Sequence, residues 1–269
     1  MGSSDAADVW ASGVAYEPYV GRWSRLVARQ VLPWLQVEPE RRWLDVGCGT
    51  GVLTRAILEL AAPREVVGVD PSDGFLAHAR TWTADGRASF QTGSAGALPF
   101  DDEVFDAVVS GLVLNFVSEP VRGLADMRRV ARPGGTVAAY VWDYAGQMQM
   151  LRYFWDAAVA LDPAARDLDE GRRFPICQPD ALRSVFERAG LSRVRGRAID
   201  VPTDFRDFDD YWSPFLGGQG PAPSYVASLD ETHRAALRDG LRAALPVARD
   251  GSIHLIARAW AIRGEEERS

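Results

Sequence analysis

Leu44-Asp45-Val46-Gly47-Cys48-Gly49-Thr50-Gly51 decides how the rest of the chain is read. Trp43 to Val46 is a short apolar run that suits a buried strand. Three glycines follow at alternate positions. After them, Val52-Leu53-Thr54-Arg55-Ala56-Ile57-Leu58 carries apolar residues at helical spacing. Strand, glycine turn and helix in that order place a small ligand against the carboxyl end of the strand and the N-terminus of the helix. Glycine tolerates positive φ and lets a ligand approach the backbone without meeting a Cβ.

The spacing is G-x-G-x-G, whereas the dinucleotide fingerprint is G-x-G-x-x-G. Asp45 precedes the turn, and a carboxylate there suits an ammonium group better than a phosphate. A phosphate loop ending in Gly-Lys is excluded, because all 30 basic residues are arginine. Residues 44–51 resemble the first signature of class I S-adenosylmethionine-dependent methyltransferases, and in particular the small-molecule group typified by the quinone-biosynthesis methyltransferases. The resemblance implies a doubly wound α/β fold. Its sheet is Rossmann-like, seven-stranded and mostly parallel, with helices on both faces and an antiparallel last strand. It also implies a ligand with an amino acid end, a sulfonium and an adenosine.

Downstream segments extend the resemblance over residues 41–142. Val66-Val67-Gly68-Val69-Asp70 reads as a second strand ending in an acid. Asp70 lies 19 residues beyond Gly51, near the ~20-residue offset at which an acid accepts from ribose hydroxyls. It could also cap the next helix, with Pro71 at the first helical position. Residues 93–100 resemble the adenine loop of the family, although relatives usually carry an acid where Ser94 and Gly96 stand. Ser94 can accept from the adenine amino group, and the Ala95 N–H can meet the ring. Residues 104–110 read as strand four, with Ser110 at its carboxyl end. Relatives often place histidine near Asn115 and Phe116, and here neither is histidine. Arg132-Pro133-Gly134-Gly135 stops a helix before strand five. Tyr19, Arg22, Trp23, Asp45, Gly47, Cys48, Gly49, Asp70, Pro71, Ser94, Ala95 and Ser110 are the expected cofactor contacts, and the expected cofactor is S-adenosyl-L-methionine.

Outside the core, residues 1–40 read as an N-terminal helical lid and 143–178 as a cap insertion rich in aromatic residues and methionine. Residues 179–201 read as a core helix and strand, 202–250 as a second cap insertion, and 251–269 as the final strand and a charged tail. The aromatic insertions suit an apolar substrate pocket, or a cover for the sheet. Arg172 and Arg173 could receive a substrate carboxylate. Asp143, Tyr140 and His233 are weak candidates for a general base, and no catalytic residue stands out.

The length of 269 residues allows one large domain or a domain with a cap. The net charge of −7 argues against sequence-independent nucleic-acid binding. Two cysteines far apart suit a reducing cytosol, and three scattered histidines give no zinc spacing. No apolar run reaches the ~20 residues of a membrane span, and the N-terminus lacks the pattern of a signal peptide. The expected protein is a cytoplasmic methyltransferase acting on a small molecule, with no metal, nucleic acid or membrane partner. A protein that binds the cofactor without transferring methyl, or a nicotinamide-dependent oxidoreductase, are the alternatives.

Overall fold

The computed structural model describes residues 21–217 and 220–267. The chain divides into two units. One holds Met1–Trp23, Tyr144–Phe174 and Val201–Ala257, and the other holds Ser24–Asp143, Pro175–Asp200 and Arg258–Ser269. The second, larger unit carries the glycine turn and is called the core unit; the first is called the insertion unit.

In the core unit, helix α1 (Arg22–Leu35, starting two residues before the boundary) buries Val27, Ala28, Val31, Leu32 and Leu35 along one stripe. Two strand–helix steps follow, β1 (Arg42–Val46) with α2 (Val52–Leu60) and β2 (Glu65–Asp70) with α3 (Asp73–Trp82), and then the strands β3 (Ala88–Thr92) and β4 (Phe105–Gly111). Next come α4 (Pro120–Val130) and β5 (Ala131–Trp142). The chain ends in β7 (Ile253–Glu265), and β6 (Ser192–Phe205) is the other late strand.

The seven strands lie in the order β3-β2-β1-β4-β5-β7-β6. β1 pairs in parallel with β2 and β4, β2 with β3, and β4 with β5, whereas β7 runs antiparallel to β5. This is the expected mostly parallel, Rossmann-like sheet with its last strand reversed. Parallel strands covered on both faces need continuous apolar residues. Accordingly Trp43, Leu44, Val66, Val108 and Val137 are fully buried, each contributing roughly 1.5–3 kcal/mol or more.

Two local expectations change. Ser72 caps α3, its Oγ accepting from the Phe75 N–H at 3.3 Å, so Pro71 stands ahead of the helix and Asp70 is not its cap. Strand β5 begins at Ala131, earlier than the Arg-Pro-Gly-Gly turn suggests, because Ala131 already pairs with Phe105. The register then shifts before Ala107 meets Thr136, so that residues 132–135 are taken up in a bulge within the strand.

The insertion unit contains α5 (Gln149–Leu161), α6 (Glu170–Arg173), α8 (Phe208–Trp212), α9 (Pro221–Ser228) and α10 (Glu231–Ala244); α7 (Pro179–Arg188) belongs to the core unit. α5 packs on α10. The insertion aromatics pack on one another: Phe154 stacks on Phe215 at 4.5 Å between centroids and meets Trp155 edge-on at 5.0 Å. Phe154, Trp155 and Phe215 are fully buried, so these residues build a hydrophobic core for their own unit.

Candidate functional site

The order of the sheet reverses between β1 and β4, and the crevice beyond the carboxyl ends of these strands is where open α/β sheets bind ligands. The loop after β1 and the loop after β4 meet there. A Cβ built on Gly47 would lie 2.5 Å from a methyl carbon of Val113, so only glycine lets the two loops approach. Gly47, Gly49 and Gly51 all have positive φ, at 74°, 52° and 83°. A Cβ on Gly49 would meet nothing within 4 Å. The turn is therefore closed against Val113 at Gly47 and open at Gly49.

The backbone donors of this turn are used internally. Gly47 and Cys48 both donate to the Val69 carbonyl, at 2.7 and 3.0 Å, and Gly51 donates to Cys48 at 2.8 Å. Gly49 donates to Oδ2 of Asp70 at 2.9 Å. Anion-binding turns work by aiming free N–H groups at phosphate. These four N–H groups already have acceptors, and two carboxylates lie beside them. The turn thus favours a cationic ligand group over a pyrophosphate.

Asp45 is fully buried. Its Oδ2 accepts the Thr54 hydroxyl at 2.7 Å, and its Oδ1 is buried without a partner. Burial pushes its carboxyl up to about 7; the Thr54 hydroxyl pulls the other way, and the charge of Asp70 adds to the rise. Asp70 is also buried, with Oδ1 accepting the Ser72 N–H at 2.9 Å. Burial raises its carboxyl above the usual range despite the N–H bonds from Ser72 and Gly49. Asp70 thereby ties the glycine turn to the start of α3. Thr54 carries no motif of its own; its signal is a hydroxyl on the first turn of the helix that follows an acid and a glycine turn.

Cys48 is buried, and its Sγ lies 2.9 Å from where a Cβ on Gly68 would be. Burial first, then Asp45 and Asp70, hold its thiol far above the ordinary range, so it packs as an apolar group. Gly93 donates to the Asp70 carbonyl at 3.2 Å, and Ala97 to the Ser94 carbonyl at 3.1 Å, which folds residues 94–97 into a small turn with Gly96 at φ 86°. Ser94 and Pro71 are exposed and Ala95 is half-buried. Ser110 is buried near the end of β4, level with Ala139. Beyond it Leu112 takes φ 62°, a strained conformation for a branched side chain. Leu112 donates to the Tyr140 carbonyl, and a short 3₁₀ turn holds Asn115, whose Nδ2 is buried without a partner.

The structure thus gathers Asp45, Gly47, Cys48, Gly49, Asp70, Ser94, Ala95 and Ser110 on the core unit, with Pro71 at its surface. Tyr19 lies outside the described residues. Arg22 and Trp23 belong to the insertion unit. The Arg22 guanidinium stacks on Trp23 at 4.4 Å and on Phe205 at 4.7 Å, and Nη1 pairs with Asp210 at 3.2 Å. Of the base candidates, His233 lies in the first turn of α10, where the capping Asp230 carboxylate accepts its backbone N–H at 2.8 Å and also meets its Nδ1 at 2.8 Å, and the Tyr140 hydroxyl lies against Gly111. Asp143 is buried. Arg173 stacks on Phe174 at 5.4 Å.

The methyltransferase domain family matches residues 44–139. The demethylmenaquinone methyltransferase of Roseiflexus castenholzii is 35% identical over 175 residues, which span 60% of this chain and 71% of that protein. The chain belongs to the S-adenosylmethionine-dependent methyltransferases. This methyltransferase shares its fold with a putative methyltransferase from an antibiotic biosynthesis pathway of Anabaena variabilis. Their TM-score is 0.61 at 19% identity, over 88% of this chain and 96% of that one. It is also similar in fold to phosphoethanolamine N-methyltransferase 2 of Haemonchus contortus, solved with phosphomonomethylethanolamine and S-adenosylhomocysteine. That likeness has a TM-score of 0.57 at 16% identity, covering 95% of this chain and 57% of the other. Among the described residues no helix is long and apolar enough to cross a membrane, and no cluster of His, Cys, Asp or Glu is placed to hold a metal ion.

Proposed function

We propose that the chain transfers a methyl group from S-adenosylmethionine to a small, largely apolar acceptor, with positioning as the main source of rate. The observation that carries this reading is the glycine turn with spent N–H donors, two buried carboxylates and open space at Gly49. Such a cradle suits a zwitterionic amino acid end and a sulfonium better than a phosphate. In this reading Gly47 and Gly49 admit the methionyl part and Asp45 supplies negative potential beneath it. Asp70 accepts from the ribose hydroxyls with the lone pairs its two backbone bonds leave, and the 93–97 turn borders the adenine through Ser94 and Ala95. Asn115 and Ser110 stand at the carboxyl end of β4, where the acceptor would approach.

The bound cofactor supplies an electrophilic methyl on a sulfonium, so the chain needs to contribute little covalent chemistry. Holding an acceptor atom ~3–3.5 Å from that methyl contributes roughly 7–11 kcal/mol. The lack of an evident base fits a reaction run by orientation and exclusion of water. The demethylmenaquinone methyltransferases among the relatives favour a reduced naphthoquinone ring as acceptor. The test is to incubate the protein with S-adenosylmethionine and demethylmenaquinol, alongside phenol and amine acceptors, and to read S-adenosylhomocysteine and methylated product by mass spectrometry. Methylated naphthoquinol is expected. S-adenosylhomocysteine at the level of protein-free controls with every acceptor would refute methyl transfer.

A further inference from the structure

Asp45 stands apart from every other acid of the core unit. It is fully buried, one oxygen is bonded to the Thr54 hydroxyl, and the other has no partner. The groups that act on it offer no counter-charge. From α2 comes the neutral Thr54, and from the end of β2 comes a second carboxylate, Asp70. The β-ladder places Gly68 of β2 and Val109 of β4 beside it, neither titratable. In the turn itself, Cys48 is held neutral by burial. No basic side chain is among the groups that shift Asp45; Arg55, on the same helix as Thr54, donates to the Thr50 carbonyl at 3.0 Å, and Arg80 on α3 to the Phe90 carbonyl at 2.9 Å. A buried carboxylate with no cation beside it is costly, so it takes a proton unless a cation arrives.

We infer that Asp45 and Thr54 form a proton-linked cation seat: the buried Asp45 carboxyl, with one oxygen unpartnered and no cation beside it, is only partly ionised in the ligand-free protein near neutral pH and gives up its remaining proton when a cationic ligand occupies the turn. The inference rests on the cofactor reading above and adds its coupling to pH. Oδ1 is closed to solvent, so the coupling acts through the field across the turn. The balance is simple: one proton leaves the Asp45 carboxyl for the buffer as the ligand ammonium, and in the substrate the sulfonium, takes its place as counter-charge. Thr54 is the positioning residue, because its hydroxyl, and to a smaller extent its backbone N–H, stabilises the ionised form. With the carboxyl near 7 in the free protein, roughly half a proton is released per ligand at pH 7, and affinity weakens by up to about tenfold per pH unit below that.

The test is titration calorimetry of S-adenosylhomocysteine in buffers of different ionisation enthalpy from pH 6 to 8.5, with 5′-methylthioadenosine as a neutral control. S-adenosylhomocysteine is expected to release a proton and to bind more tightly as pH rises, whereas methylthioadenosine releases none. Thr54→Val moves the proton release to higher pH. Asp45→Asn abolishes it while methylthioadenosine still binds. Should the valine variant not fold, the wild-type pH profile and the asparagine variant decide the matter alone. Tight binding of S-adenosylhomocysteine with no proton release, or equal release in Asp45→Asn, overturns the inference and leaves the cofactor reading intact. Absence of binding by S-adenosylhomocysteine at every pH overturns that reading itself.

Discussion

Replacing Asp45 by Asn should stabilise the ligand-free protein, and the gain should depend on pH. An unfolded chain ionises this carboxyl near 3.8, whereas the folded chain holds it to about 7. The folded state therefore binds more protons across that window. The contribution of the group is full below pH 3.8 and is lost as pH rises towards 7. Relative to low pH, the loss is ~1.6 kcal/mol at pH 5 and ~4 kcal/mol at pH 8, at 1.36 kcal/mol per pH unit. Asparagine does not ionise. Its Oδ1 can still accept from Thr54, and its extra N–H at the unpartnered position costs about 1 kcal/mol. The net gain is then ~0–1 kcal/mol at pH 5 and ~3 kcal/mol at pH 8. Urea unfolding of both proteins, stripped of ligand, measures it at the two pH values. A gain of the same size at pH 5 and pH 8 would refute the reasoning, because the effect could not then come from an ionised carboxylate.

Gly47→Ala forces a Cβ to 2.5 Å from Val113 at a φ of 74°, and should cost about 2–4 kcal/mol in urea unfolding, part of it recovered by adding Val113→Ala. Gly49→Ala meets open space, so it should cost ~1 kcal/mol of stability while weakening S-adenosylhomocysteine binding at least tenfold; a loss of stability matching that of Gly47→Ala would contradict the open cradle. Glu170 is buried and bonded to the Trp155 indole, and burial pushes its carboxyl up to about 7 from 4.5. Wild-type stability should therefore fall between pH 5 and pH 8 partly through this group, and Glu170→Gln, which can still accept from Trp155, should flatten that slope in thermal melts. Asp70→Ala removes the acceptor of Gly49 and Ser72 and should weaken S-adenosylhomocysteine by tenfold or more; an unchanged dissociation constant would remove Asp70 from the site.

The core unit was legible because its signals are local. A strand, three glycines and a helix lie within residues 43–58, and the acid at the end of β2 stands at the spacing the βαβ unit requires. The antiparallel last strand was likewise readable from its alternation. What could not be read depends on how the elements pack in three dimensions, even where the partners are only nine residues apart. The Thr54–Asp45 bond needs α2 to fold back over the end of β1. The buried Trp155–Glu170 pair needs α6 to pack on α5. Strand β5 starts early because Ala131 finds Phe105 across the sheet, a pairing that the Pro-Gly-Gly signal hides. The insertion aromatics carried no pattern from which their mutual stacking could be read.

The most direct measurement is calorimetric titration of ligand-stripped protein with S-adenosylhomocysteine at pH 8, beside NAD. One saturable site per chain for the nucleoside, and no heat with NAD, is the expected outcome. A folded protein that gives no heat with S-adenosylhomocysteine or S-adenosylmethionine, or that binds NAD instead, would contradict the claim that the acid-flanked glycine turn is built for a cationic nucleoside.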